Sequence, residues 1–195
     1  MLNDRSSALS LLATRRSAKP RDLVAPGPSD EELRQILTVA ARTPDHGKIA
    51  PWRFVTVATD QRDRLSRLLT DAYRAERPDA AQRDLDGLDQ FARQAPTLVV
   101  VLSSPKPGQI PVWEQELSAG AAAMNLLHAV HAMGYAGGWL TGWASFSDAV
   151  RDAFGAAPER IVGFMFIGTP ARPLDERPRP DLNQVVSAWN GAAPE

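Results

Sequence analysis

The chain has 195 residues, enough for one domain, and no cysteine, which excludes thiolate catalysis, iron–sulfur ligation and cysteine-type zinc sites. Its 22 Lys and Arg nearly balance 23 Asp and Glu, so the net charge of −1 gives no global pull toward nucleic acid or a membrane surface. No apolar run approaches the ~20 residues that span a bilayer, and the N-terminus carries no signal-peptide pattern, so a cytoplasmic protein without nucleic-acid or membrane partners is expected.

Residues 4–15 are expected to form the first helix, with apolar contacts from Leu9, Leu11 and Leu12. Arg15-Arg16-Ser17 ends it, and Pro20 prevents its continuation. Ser29 with Glu32 reads as a capping box, followed by Leu33, Ile36, Leu37 and Ala40 at helical spacing. Pro44 closes that helix and opens a polar loop, which feeds a strand over 51–58. Asp60 is expected to cap a helix through Leu65, Leu68 and Leu69, and Pro78 to break it. A charged helix follows over about 80–94, and the apolar run 97–103 is short enough for a buried strand.

After a Pro-rich loop, 112–133 is expected to be the longest helix. It is small and apolar on nearly all sides around Ala119 to Met124, which marks a central helix, and Gly134 suits its C′ position. The stretch 135–143 is a Gly-rich bend or strand. Ser147 is expected to cap a short helix ending at Phe154, and 161–168 reads as another buried strand. The tail 171–195 is rich in Pro and Arg, with Val185, Val186 and Trp189 near its end; it is expected either to be disordered or to be pinned onto a surface such as that of a partner subunit. No repeat or linker divides the chain, so we expect a single domain over 1–195, with 171–195 as an extension. Helices and strands alternate irregularly, which favours a compact α+β sandwich over a regular doubly wound sheet.

Three constellations carry chemistry. Arg15, Arg16 and Ser17 offer two guanidinium forks and a hydroxyl, a set that matches phosphate oxygens. By spacing alone, two arginines complementing a helix dipole is the plainer reading. Arg42 and His46 flank Pro44 and form a second cationic cluster; in isolation they too read as a helix-end residue and a surface loop residue. Together the two clusters could converge on one anion, most simply the phosphate of a flavin nucleotide. Gly137-Gly138-Trp139-Leu140-Thr141-Gly142 would let backbone approach a flat ligand, or else forms a tight bend beside a core tryptophan. His128 and His131 share a helix face without further metal ligands and read as partly buried histidines. Glu114 and Glu116 are two apart, so a helix would point them differently, and neither is read as part of an acid/base pair. No dinucleotide fingerprint, P-loop or nucleophile elbow is present.

Taken in order, Arg15-Arg16-Ser17, Pro44-Asp45-His46 with Pro51-Trp52-Arg53-Phe54, Trp113 to Glu116 with Ser118-Ala119-Gly120, Gly138-Trp139 and Ile161 to Phe164 with Gly168-Thr169-Pro170 resemble the FMN-dependent nitroreductase family, in its short NAD(P)H-nitroreductase branch. The resemblance covers nearly the whole chain. It implies a three-layer α+β sandwich with a central, mostly antiparallel sheet flanked by helices. It also implies an intertwined homodimer with two FMN sites at the interface. By resemblance, Arg15, Arg16 and Ser17 contact FMN from one subunit, and Arg42 and His46 reach it from the other. Gly138, Trp139, Leu140 and Thr141 face the isoalloxazine largely through backbone, and Arg172 helps hold the phosphate. NADH or NADPH is the implied co-substrate, and a small-molecule electron acceptor such as a nitroaromatic or quinone the implied partner. No side chain is nominated as catalytic, because the cofactor carries the redox chemistry. The chain departs from the pattern at Ala50, where relatives often carry an amide side chain. Other flavin reactions on the same scaffold, a non-catalytic flavin-storage protein and a flavin-free interaction protein are the rival readings.

Overall fold

A computed structural model of the chain describes residues 2–189 and 191, so the last few residues of the expected tail lie outside the described residues. Helix α1, Ala8–Thr14, begins later than expected. Side chains ahead of it capture backbone amides: Asp4 accepts from Ser6 N at 2.9 Å, and Ser7 caps the helix by accepting from Ser10 N. Of its leucines only Leu11 is buried; Leu9 and Leu12 are exposed, against expectation. A two-residue strand, β1 (Leu23–Val24), was too short to leave a periodic signal. Helix α2, Asp30–Ala40, starts at the expected Ser29/Glu32 capping box.

Strand β2 is Trp52–Val57, and helix α3 is Arg62–Glu76. Asp60 does not cap α3: it lies inside a single 3-10 turn, Thr59–Gln61, and Gln61 is the N-cap without a side-chain bond. Helix α4 (Gln82–Arg93), strand β3 (Thr97–Ser103) and helix α5 (Val112–Ala132) follow close to the expected bounds. Gly134 ends α5 with φ 93°, the left-handed conformation expected of a C′ glycine. The Gly-rich stretch resolves into strand β4, Ala136–Leu140. Helix α6 (Asp148–Phe154, capped by Ser147), strand β5 (Arg160–Pro170) and the short helix α7 (Leu182–Val185) complete the chain.

All strand pairings are antiparallel, and β5 is the hub. It pairs with β3, β4 and β1, while β2 extends the sheet beyond β3. Alternation along the strands divides the core into two layers. Leu98, Val100, Leu102, Phe164 and Phe166 face α3, α4 and α6. Val99, Val101, Met165 and Ile167 face α2 and α5. Both faces of β3 and β5 are covered, which is why these strands read as continuous apolar runs rather than alternating ones. The expected three-layer α+β sandwich is therefore the observed architecture. None of the described helices is long and apolar enough to cross a membrane.

Register in β5 slips beside Val101 and Leu102, leaving Val162 without a β3 partner. The freed Val162 carbonyl accepts from Trp139 Nε1 at 3.0 Å. The indole thus lies across Gly163, where any Cβ would overlap it.

The first part of the tail is neither disordered nor extended away. It runs back along residues 15–22 of its own chain: Ala171 N donates to Asp22 O at 2.9 Å, Arg16 Nε to Asp175 O at 2.7 Å, and Arg179 Nη2 to Arg15 O at 3.1 Å. Beyond this strap Leu182, Val185, Val186 and Trp189 remain exposed.

Candidate functional site

The segment after α1 is fixed to the sheet by one backbone bond. Ala18 N donates to Gly137 O at 3.0 Å, so Arg15 to Pro20 runs along the free edge of β4. The approach is close enough to require Gly138, since a Cβ there would lie 2.7 Å from Ala18 O. A Cβ on Gly137 would meet Leu127 of α5 at 2.9 Å on the opposite face. The Cβ positions these glycines leave open are therefore filled by the protein itself rather than held open for a flat ligand. This corrects the simplest reading of the Gly-Gly pair, although Gly138, Trp139 and Leu140 still border the cleft described next.

A cleft of about 260 Å³ lies between this segment, β4 and the tail strap, and Arg15, Arg16, Ser17, Lys19, Arg177 and Arg179 line its polar side. Arg15 donates to Ser17 Oγ at 3.3 Å, and Arg16 Nη1 to Ser17 O at 3.1 Å. Arg16 is otherwise satisfied only by the neutral Asp175 carbonyl. Among the described residues Glu176 is the one carboxylate bonded within the cluster, accepting from Arg179 at 3.0 Å. Burial, then the Arg179 and Arg16 charges, push Arg15 below the usual guanidinium range. Such a cluster lacks counter-charge and is suited to a phosphate.

Lys19, Pro20 and Leu140 border a second groove of about 410 Å³, floored by Phe91 and Leu140 and rimmed by Gln90, Gln94 and Arg21. Cleft and groove are thus neighbours that share Lys19, Pro20 and Leu140, the first cationic and the second apolar with amide groups. A separate cavity of about 420 Å³ near the N-terminal residues contains only Arg172 of the expected site residues.

The expected residues divide into groups. Arg15, Arg16, Ser17, Gly138, Trp139 and Leu140 come together in the cleft. Thr141, just beyond β4, is exposed and does not line it. Arg172 is held by Asp22 through bonds of 2.6 and 3.0 Å, beside Arg16 and Lys19, so its charge is already paired. Arg42 and His46 lie elsewhere, both exposed. His46 Nδ1 is 2.8 Å from Glu114 Oε2 in the first turn of α5. The same helix positions the rest of that loop: Ser118 donates to Pro44 O at 2.7 Å, and Asn125 to Thr43 Oγ1 at 2.7 Å. Lys48 and Ala50 follow with φ of 56° and 45°, left-handed values that an amide residue tolerates better than alanine.

Arg15 acts at the other end of α5. Burial, then the Arg15 charge, then His128 hold His131 well down at about 4. Glu114 and His131 are 17 residues apart, which is about 25 Å at ~1.5 Å per helical residue. Within one chain the two cationic clusters therefore do not meet on one phosphate. His131 is wholly buried rather than partly so, and its Nε2 accepts from Gly137 N at 3.3 Å; no group of three or more His, Asp or Glu placed to hold a metal ion occurs among the described residues.

Sequence reasoning missed Lys19, Arg177, Arg179, Gln90 and Gln94. The Arg-rich tail was noticeable, but its return to residues 15–19 had no local signal. The two glutamines sit on a charged helix where nothing distinguishes them.

The nitroreductase family model matches residues 12–169. The chain belongs to the nitroreductase family. It is 37% identical over 165 residues to the Escherichia coli protein named "Putative NAD(P)H nitroreductase YdjA", covering 84% of this chain and 88% of the relative. Among solved structures it resembles a nitroreductase-like family protein from Bacillus cereus, with a TM-score of 0.78 at 21% identity over 95% of this chain and 97% of the other. It also resembles a Desulfovibrio desulfuricans protein described as a "putative nitroreductase in complex with FMN", with a TM-score of 0.71 at 22% identity over 93% and 96% of the two chains. The matched span runs from α1 to the end of β5. It therefore includes both cationic clusters and β4, while the strap that delivers Arg177 and Arg179 lies beyond it.

Proposed function

We propose that this chain is an FMN-dependent oxidoreductase that uses NAD(P)H to reduce nitroaromatics, quinones or similar electron-accepting small molecules. The observation that carries this reading is the cationic cleft along β4, with an apolar, amide-rimmed groove beside it that shares Lys19, Pro20 and Leu140. Its donor set fits a flavin mononucleotide: guanidinium groups short of counter-charge suit the phosphate, and a flat apolar floor with amides suits a heteroaromatic ring. The D. desulfuricans neighbour is described with FMN, and the E. coli relative is named for NAD(P)H, which supports the same pairing here.

In this reading Arg15, Arg16 and Ser17 hold the phosphate, with Arg172 orienting the segment through Asp22. Lys19 stands at the junction, Pro20, Leu140 and Phe91 exclude water from one face, and Gln90 and Gln94 hydrogen-bond the polar edge. Bound FMN would supply two-electron transfer between nicotinamide and acceptor. Nicotinamide and acceptor share one open face of the flavin in turn, so the kinetics are of the ping-pong type.

The reading includes a cytoplasmic single-domain protein, its cysteine-free composition fitting a reducing compartment. It also includes a homodimer in which Arg42 and His46 complete the site of the partner subunit. The separation of His46 from Arg15 along α5 supports this, as do the exposed Leu9, Leu12, Trp113 and Leu117. Gly120 adds to it, since among the described residues nothing packs on its open side.

The test is the visible spectrum of the purified protein, chromatography of its heat-released flavin, and anaerobic titration with NADH and NADPH. Bound FMN that is bleached by a nicotinamide is the expected result. FMN that resists reduction would indicate a storage protein, and a colourless protein that takes up no FMN would overturn the reading.

A further inference from the structure

The cleft holds more positive charge than one flavin phosphate needs. Arg15, Arg16, Lys19, Arg177 and Arg179 line it, against the single Glu176 carboxylate bonded to Arg179. A phosphate monoester brings a charge of about −1.5 to −2 near neutral pH. The first two arginines and Ser17 match that demand. The remaining cations are not distributed at random over the surface: two are delivered by the tail strap, whose order of contacts (172 to 22, 175 to 16, 179 to 15) fixes where they stand. Arg179 is anchored through one nitrogen, Nη2, which donates to both Arg15 O and Glu176 Oε1. Arg177 carries no side-chain hydrogen bond or ion pair to any described residue, although it lines the same cleft. Its backbone amide donates to Glu176 at 2.9 Å, which keeps that carboxylate turned toward the peptide and Arg179.

We propose that Arg177, supported by Arg179, binds a second phosphate monoester, the ribose 2′-phosphate of NADPH, and so makes the enzyme select NADPH over NADH. This rests on the oxidoreductase reading above and adds the co-substrate and the residue that chooses it. The chemistry favours this ligand for two reasons. The 2′-phosphate is the only group that distinguishes the two nicotinamides, and it is a dianion suited to a guanidinium fork. It is also remote from the reacting ring of the dinucleotide, as Arg177 is set apart from the amide-rimmed groove, bordering the cationic cleft but not the groove of Phe91 and Gln90.

The experiment uses the full chain, with its flavin content read from the visible spectrum before each titration. Dissociation constants are measured by calorimetry for NADP⁺ and NAD⁺, and for 2′,5′-ADP and 5′-AMP, which contain no nicotinamide. Wild-type protein should bind NADP⁺ tighter than NAD⁺, and 2′,5′-ADP tighter than 5′-AMP. Arg177→Ala should weaken NADP⁺ and 2′,5′-ADP by roughly 10-fold or more, the loss of one charge-assisted contact, and leave NAD⁺ and 5′-AMP unchanged. Arg177→Lys should restore part of the difference. Equal wild-type affinity for the two members of each pair would overturn the proposal, as would an Arg177→Ala variant that weakens both members equally. A variant that loses FMN instead would assign Arg177 to the flavin phosphate and also overturn it. A wild-type protein that is colourless and takes up no added FMN would refute the oxidoreductase reading separately, while the 2′,5′-ADP titration still reports on Arg177.

Discussion

Arg16 and Asp175 are 159 residues apart in sequence and joined at 2.7 Å, from the guanidinium Nε to the backbone carbonyl. A carbonyl satisfies a guanidinium hydrogen bond without neutralising its charge. Arg16 is therefore oriented toward the cleft, and through this bond the tail is tied to the cationic cleft. The N-terminal segment is tied down as well, because Arg16 N donates to Asn3 Oδ1 at 2.7 Å.

Arg16→Ala is expected to weaken FMN binding by about one to two decades, since a charge-assisted contact contributes roughly 1.5–3 kcal/mol. Apo-protein stability should change much less, because Arg16 is only half-buried and its partners are neutral carbonyls. Fluorescence titration of FMN and urea unfolding of the apo protein measure the two effects. An unchanged FMN affinity with a large loss of stability would make Arg16 structural.

The second prediction concerns the shared site. Arg16→Ala and His46→Ala subunits should each bind FMN poorly alone. After subunit exchange, heterodimers contain one doubly damaged and one intact site, so part of the FMN binding should return. No recovery despite proven exchange would place both residues in one subunit's site or His46 outside any site.

Kinetics provide the third. Double-reciprocal initial-rate lines at several fixed acceptor concentrations should be parallel, as for any double-displacement reaction. Intersecting lines would require nicotinamide and acceptor to occupy separate places at once.

The fourth prediction follows from buried His131. Its pKa of about 4 lies below the ordinary histidine value of 6.5, because burial and then Arg15 and His128 disfavour the cation. The unfolded chain therefore takes up the proton first. Stability should be complete above about pH 6.5 and fall as pH drops toward 4, by roughly 3 kcal/mol for this residue. His128, also lowered by burial and then Arg15, acts with the same sign. Carboxylates held down by their partners, such as Glu159 at about 2 beside Arg53, begin to lose their contribution only as pH falls through the ordinary carboxylate value of 4.5, at the low end of this window. Urea midpoints between pH 7 and 4.5 measure the slope; His131→Gln should flatten it, and an unaltered slope would refute the assignment.

Gly163→Ala should destabilise the fold by about 1–3 kcal/mol, because the new methyl group overlaps the Trp139 indole in a packed layer. The indole would be driven from the Val162 carbonyl, so a shift in tryptophan emission should accompany the lower unfolding midpoint.

Where an element's signal is local, the sequence reading agrees with the structure. The Ser29/Glu32 box, the Ser147 cap, Gly134 and the apolar runs of β3 and β5 each carry their cause within a few residues. Local competition misled it twice: Asp4 and Ser7 take the amides that a helix from residue 4 would need, and a 3-10 turn absorbs Asp60. The candidate site was legible in part. Arg15, Arg16 and Ser17 stand in the cleft, but the room left by Gly137 and Gly138 is used by Leu127 and Ala18.

The sequence by itself determined a compact α+β sandwich, because short continuous apolar runs and a helix apolar on nearly all sides need cover on more than one face. It also marked Arg15-Arg16-Ser17 as a phosphate-compatible set. Only the tertiary structure decided which cations share a cleft. It brought Arg177 and Arg179 back to residues 15–19, committed Arg172 to Asp22, and kept His46 at the far end of α5. The physical reason is that charge complementarity acts through space. A guanidinium has the same local propensities wherever the chain carries it, so its partner is set by the path of the strands and the tail, and no short stretch of sequence records that path.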